Sequence, residues 1–163
     1  MNDQIAPPTG ALPRDRIATM SGLDVLRQMI AGKLPRAPFA VLTRIQIAEA
    51  DPGRVAFEGE VAPEFANPMG VVHGGWTTTI LDSAMACAVW TRLEPGQGQT
   101  TVEIKINCVR PILMTAGRVR AEATTIHVGR QIATAEGRLT DSAGKLLAHA
   151  TTTCMVFDLA RMR

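Results

Sequence analysis

Hydrophobic positions alternate with polar ones along much of this chain, and the alternation stops in its middle. In residues 54–61, Val55, Phe57 and Val61 interleave with Arg54, Glu58 and Glu60, the period of a half-buried strand. Downstream, residues 100–109 place Val102, Ile104, Ile106 and Cys108 on one face, and residues 117–127 and 130–140 flank a hairpin-like Val128-Gly129. A last strand over about 145–157 follows the turn Asp141-Ser142-Ala143-Gly144. Upstream, residues 38–49 read as a strand closed by Asp51-Pro52-Gly53. Ser21 with Asp24 three residues on is an acidic capping box, and Leu23, Leu26 and Ile30 follow at helical spacing before Gly32 and Pro35, so a short helix spans about 21–32. Residues 1–20, rich in Pro and polar side chains, predict a loose or draped segment.

The middle has neither period. After the turn Asn67-Pro68-Met69-Gly70 come His73-Gly74-Gly75 and a run from Trp76 to Thr91 whose only charge is Asp82. A helix apolar or small all round is a buried one. The prediction is one long central helix wrapped by an antiparallel sheet, an α+β layout.

At 163 residues the chain fits a single domain. We read residues 1–37 as an N-terminal extension and 38–163 as the domain. A net charge of +2, no Tyr and 4% aromatics argue against nucleic-acid binding. Cys87, Cys108 and Cys154 are odd in number and far apart, which points away from a disulfide framework and toward a reducing, cytoplasmic setting. No segment reads as a secretory signal or a membrane span. His73, His127 and His149 have no metal-ligand spacing, so no metal is expected.

Asp82 carries the most information. A carboxylate in an apolar helix is costly to bury unless it is paired or belongs to a site. It is either a partner of a loop or a buried Arg, or a general base or nucleophile in a water-poor cleft. The helix start at His73-Gly74-Gly75 offers free backbone N–H groups and the positive end of the helix dipole, which can polarise a carbonyl. A Gly-Gly there also serves as a plain tight turn. Asn67 and His73 flank this start, as site residues or as turn and anchor residues. Eight residues separate Gly74 from Asp82, a rise of about 12 Å. A base and an oxyanion donor must both come within roughly 3 Å of one reacting group. One helix therefore does not serve both ends of a reaction, whereas two antiparallel helices across a two-fold axis do.

The run Asn67-x5-His73-Gly74-Gly75-x6-Asp82, with the strand pattern after it, resembles the hotdog-fold acyl-CoA thioesterases of the phenylacetate-degradation (PaaI-like) type, over about residues 38–157. The resemblance implies a curled antiparallel sheet around a long helix, in dimers that often pair into tetramers. It implies that Asp82 acts as general base or nucleophile, that the Gly74 N–H polarises the thioester carbonyl, that Asn67 reaches the reacting centre across the interface, and that His73 shapes the helix start. Counting back from the Arg110-Pro111 corner, it places a hydroxyl contact to the acid on Thr101. The hairpin His127-Val128-Gly129-Arg130 resembles the family's basic hairpin near the CoA nucleotide, with Gly129 and Arg130 as contacts; a solvated hairpin is the alternative. Lys105, Arg110 and Arg118 are weaker candidates.

The implied reaction is hydrolysis of an acyl-CoA to free acid and coenzyme A, with no cofactor, CoA being part of the substrate. The alternatives are a hotdog acyl-thioester hydratase or dehydratase and a non-catalytic acyl-CoA binding module. The extension is expected over a substrate tunnel or at a subunit contact. Met69, Met85, Trp76 and Trp90 suggest an apolar pocket, with plain core packing as the alternative.

Overall fold

A computed structural model describes residues 8–161. Residues 1–7, part of the predicted loose segment, lie outside the described residues, and so do residues 162–163. The elements in chain order are α1 (Arg14–Thr19), α2 (Gly22–Ile30), α3 (Pro38–Leu42), β1 (Ile45–Asp51), β2 (Arg54–Glu60), α4 (Gly74–Trp90), β3 (Gln97–Cys108), β4 (Arg118–Val128), β5 (Ile132–Asp141) and β6 (Leu146–Asp158). Strands β1 to β6 form one antiparallel sheet in the order β1-β2-β4-β5-β6-β3. The long helix α4 packs against the inner face of that sheet.

The sheet accommodates a helix because its inner face is made of small side chains. Ala121, Ala123, Ala133, Ala135, Ala148 and Ala150 are all buried there. At Gly137 a Cβ would sit only 3.0 Å from Met85 Cγ and 3.2 Å from Leu81 Cδ2. The large side chains are supplied mainly by α4, through Trp76, Ile80, Leu81, Met85 and Val89. Large residues on the helix and small ones on the sheet give close interdigitation with few voids.

Three elements differ from the sequence reading. The segment read as a strand from residue 38 begins as helix α3, and β1 starts only at Ile45. Pro38 occupies the first turn of α3, where its missing N–H costs nothing and its fixed φ suits a helix. Thr43 Oγ1 then donates to Phe39 O, and Arg44, at φ 52°, turns the chain into the sheet. Residues 14–19, expected to be loose, form α1. The third difference is in β3. A bulge between Thr101 and Glu103 interrupts its pairing with β6. Thr101 pairs with Cys154, Ile104 with Thr152 and Ile106 with Ala150, all buried partners, so Thr101, Ile104, Ile106 and Cys108 share the inner face. Val102, expected with them, is expelled and 62% exposed. Strict alternation would have put Thr101 on the opposite side.

The predicted helix at 21–32 is α2, with Ser21 Oγ accepting from Asp24 N. It docks on the end of α4: Gly22 N donates to Leu93 O, and a Cβ at Gly22 would lie 2.0 Å from Trp90 O. Only glycine allows that approach. The outer face of β1, β2 and β4 carries a ladder of charges, Arg54–Glu49, Arg120–Glu49, Arg120–Glu122 and Arg118–Glu58. Hydrogen bonds from Arg120 and then Arg54 hold the Glu49 carboxyl below its ordinary range. No helix among the described residues is long and apolar enough to cross a membrane.

Candidate active site

Helix α4 runs unbroken for 17 residues, so Gly74 and Asp82 stand about two turns apart on one rigid rod. Along it, one stripe escapes the sheet. Thr78, Thr79, Asp82, Ser83, Ala86, Cys87 and Trp90 are half-buried, while Ile80, Leu81, Ala84, Met85, Ala88 and Val89 are fully buried. Asp82 sits in the middle of that stripe.

Thr101 meets Asp82 there. Its hydroxyl donates to Asp82 Oδ1 at 2.8 Å. The β3 bulge is what aims this hydroxyl at the helix, a common use of bulges beside functional sites. No Arg or Lys pairs with Asp82 among the described residues. A half-buried carboxylate held by one hydroxyl, with its second oxygen unengaged among those residues, can take a proton from water or attack a carbonyl.

The helix start is built separately. His73 caps α4, its Nδ1 accepting from Gly75 N at 2.8 Å, and its own N–H donates to Phe65 O. Trp76 stacks on Phe65 at 5.5 Å between centroids and donates from Nε1 to Thr43 O, fixing the first turn. Gly74, the first helical residue, is exposed, its N–H has no hydrogen-bond partner among the described residues, and a Cβ there would meet nothing within 4 Å. No acid occupies the first turn. The N–H thus points free at the positive end of the helix, as an oxyanion donor must. Asn67 shapes the preceding loop: its Oδ1 accepts from Met69 N at 2.9 Å and Val71 N at 3.3 Å.

Within one chain these groups stand in two separate places. Asp82 and Thr101 line a cavity of about 1090 Å³; Asn67, His73 and Gly74 do not. The 12 Å separation expected from the helix rise is preserved. Arg130 is exposed in the β4–β5 turn, where Gly129 N donates to Ile132 O, and neither residue reaches that cavity. Of the four residues expected to mark an apolar pocket, only Trp90 lines the cavity. Met85 and Trp76 are core, and Met69 is 87% exposed.

The sequence reading did not assign the rest of the cavity wall. Helix α4 contributes Ser83, Ala86 and Cys87 at the spacings i+1, i+4 and i+5 from Asp82, a signal that helical periodicity could have supplied. Gln99, on the same strand as Thr101, brings a buried side-chain oxygen without a partner among the described residues. The N-terminal segment adds Leu12 and Ile17, and α2 adds Leu26 and Met29.

Cys87 is a neighbour of Asp82 whose thiol keeps its proton at neutral pH. Although part of the residue borders the cavity, burial of the thiol, and then the Asp82 charge, push its pKa from 9.0 up to about 12. We expect native Cys87 to resist iodoacetamide at pH 8; alkylation as fast as in urea would refute this. The linkage has a fixed sign. Below pH 9 folded and unfolded chains both keep the proton, and between 9 and 12 only the folded chain does, so stability falls as pH rises through that window. Cys87→Ala should flatten the alkaline fall in thermal midpoint.

Comparison with known proteins agrees with this architecture. The family model described as the thioesterase superfamily matches residues 69–148. Human acyl-coenzyme A thioesterase 13 is 33% identical over 127 residues, covering 76% of this chain and 88% of that protein. The 1,4-dihydroxy-2-naphthoyl-CoA hydrolase of Listeria monocytogenes is 29% identical over 112 residues, covering 69% and 89%. Among solved structures, a phenylacetic acid degradation-related protein from Ralstonia eutropha superposes with a TM-score of 0.73 at 31% identity, covering 80% of this chain and 98% of that one. Shared sequence over most of the length of its relatives, on the hotdog arrangement of sheet around helix, makes this chain a member of the thioesterase superfamily, and its chemistry is thioester hydrolysis.

Proposed function

We propose that the chain hydrolyses acyl-CoA thioesters at two sites shared across a homodimer. The observation that carries this is the Thr101–Asp82 hydrogen bond on the wall of a cavity, with the free Gly74 N–H held about two helical turns away. In the proposed step the Asp82 carboxylate removes a proton from water, and the water oxygen attacks the thioester carbon. The negative charge that builds on the carbonyl oxygen is met by the Gly74 N–H of the partner's helix. The tetrahedral intermediate then expels the CoA sulfur, which takes the proton held by Asp82 and leaves as the thiol, and the acyl group leaves as the free acid. Direct attack by Asp82 through a mixed anhydride is the variant of the same chemistry. Thr101 holds the carboxylate in place, and Asn67 approaches the reacting centre from the partner. Arg130 offers its guanidinium to the CoA phosphates, and Gly129 shapes the turn that presents it, its own N–H donating to Ile132 O.

The surface supports pairing through β3. It is an edge strand of 12 residues, and its inward-facing Ile104 and Ile106 remain half-exposed. A long unpaired edge strand is a template for another strand, whereas the outer face at the β1 end of the sheet carries paired charges. Two such dimers can associate into a tetramer. The free cysteines Cys87, Cys108 and Cys154 favour a cytoplasmic setting.

The test is a panel of acyl-CoAs followed by thiol release, together with sedimentation and mixed subunits. Mixing an Asp82→Asn chain with a Gly74→Pro chain, each inactive alone, should restore activity, because some heterodimers keep one complete site. A fully active monomer, or no recovery in dimers shown to be mixed, would overturn the shared site.

A further inference from the structure

Strand β3 ends the sheet, so one side of its backbone has no neighbouring strand. Two side chains near its middle, on the outer face, carry opposite charge. Glu103 and Lys105 are exposed, and neither makes an ion pair among the described residues. Between and beyond them, on the inner face, Ile104 and Ile106 are half-exposed.

We infer that this edge takes a second copy of the chain in a single antiparallel register, with the two-fold axis through Ile104 and Glu103 of each copy opposite Lys105 of the other. This rests on the shared-site reading given above, and it makes Glu103 and Lys105 positioning residues for that site. Charge selects the register. Directly opposite residues share a face of the sheet. Both copies of α4 must lie on one face to share a site, so the axis passes through a residue and not between two. Through Glu103 it would oppose two acids, and through Lys105 two bases. Through Ile106 it would leave both charges without a partner. Through Ile104 it makes two pairs of opposite charge. Ile104 then meets its own copy, Ile106 meets the partner's Thr101 across the bulge, and both isoleucines leave water.

The helix selects the same register independently. Thr101 is level with Asp82. Residues 91–96 alone join the end of α4 to the start of β3, so helix and strand run in opposite directions. Gly74 therefore stands about 12 Å beyond Asp82, toward the end of β3. That is roughly 3.6 strand residues past Thr101, at about 3.3 Å each. With the bulge taking up one extra residue, the level of Gly74 falls between Lys105 and Ile106. The midpoint of the two levels is Ile104. An axis there brings the partner's Gly74 level with Asp82, whereas an axis at Lys105 or Ile106 misses by about 8 Å or more.

The experiment places single cysteines on β3 of the full chain, with the exposed Cys108 changed to Ser, and oxidises with copper–phenanthroline. Ile104→Cys should cross-link to its own copy, because directly opposite α-carbons are about 4.5–5.5 Å apart, within the reach of a disulfide. Ile106→Cys should not, since its two copies would stand about 13 Å apart along the strands. In the parent background, Lys105→Glu turns two attractive pairs repulsive and should speed subunit exchange between labelled dimers about tenfold. Adding Glu103→Lys restores the pairs with their signs reversed and should bring exchange back to within about threefold of the parent. Cross-linking at Ile106 in place of Ile104, an unchanged exchange rate in Lys105→Glu, or no recovery in the double variant would overturn the register and leave the shared site to its own test. A chain that sediments as a fully active monomer would overturn both.

Discussion

Asp82→Asn should abolish most thioester hydrolysis while leaving the fold intact. The substitution is nearly isosteric, and the carbonyl oxygen of the new amide can still accept the Thr101 hydroxyl that now donates to Asp82 Oδ1 at 2.8 Å. What is lost is the basic oxygen. General base catalysis alone is worth about 10²–10⁴-fold, and the loss is larger if the carboxylate attacks the carbonyl itself. The fall should appear in kcat, with the thermal midpoint within a few degrees of the parent, since the neighbouring core residues Leu81, Ala84 and Met85 are untouched. Turnover within tenfold of the parent would show that Asp82 is a structural acid. A non-catalytic acyl-CoA binding module predicts no hydrolysis by the parent at all.

Gly74→Pro should be nearly as damaging, and Gly74→Ala should not be. Gly74 is the first residue of α4, where proline is tolerated because its missing N–H has no helical partner. His73 before it is extended, at φ −63° and ψ 135°, the conformation that a residue before proline prefers. A Cβ at position 74 meets nothing within 4 Å in its own chain. Proline therefore removes one N–H and little else, while alanine keeps that N–H. Loss of a single oxyanion donor costs about 10²–10³ in kcat. Equal activity of the two variants would refute a polarising role for this N–H. Equal loss in both would instead mean that a side chain at 74 crowds the partner's half of the site.

The sequence alone determined the parts that are local. The Val55/Phe57 alternation located β2, the Ser21–Asp24 box located α2, and the long apolar run with one acid located α4. The period of a segment follows from which face it buries, and a cap follows from which backbone groups need a partner. The separation of Gly74 from Asp82 was also legible, because helix rise is fixed. Where two local signals competed, the reading failed: Pro38 to Leu42 is apolar enough for a strand, but Pro38 and the Trp76 contact to Thr43 O make it a helical turn.

The tertiary structure alone decided the rest. Thr101 was assigned by family likeness, against an alternation that turned it away from Ile104. A one-residue bulge reverses that face, and a bulge depends on how β3 must register against β6 over its whole length. Away from the α4 stripe, the residues of the cavity wall likewise carry no sequence signature. Leu12, Ile17 and Met29 look like ordinary apolar residues of an extension, and together with Phe39 they line the cavity beside Asp82, next to the end of α4 against which Gly22 lets α2 press. Composition and periodicity register which side chains avoid water. Which of them leave an open slot beside a carboxylate depends on contacts between residues some seventy positions apart, and those exist only once the chain has packed.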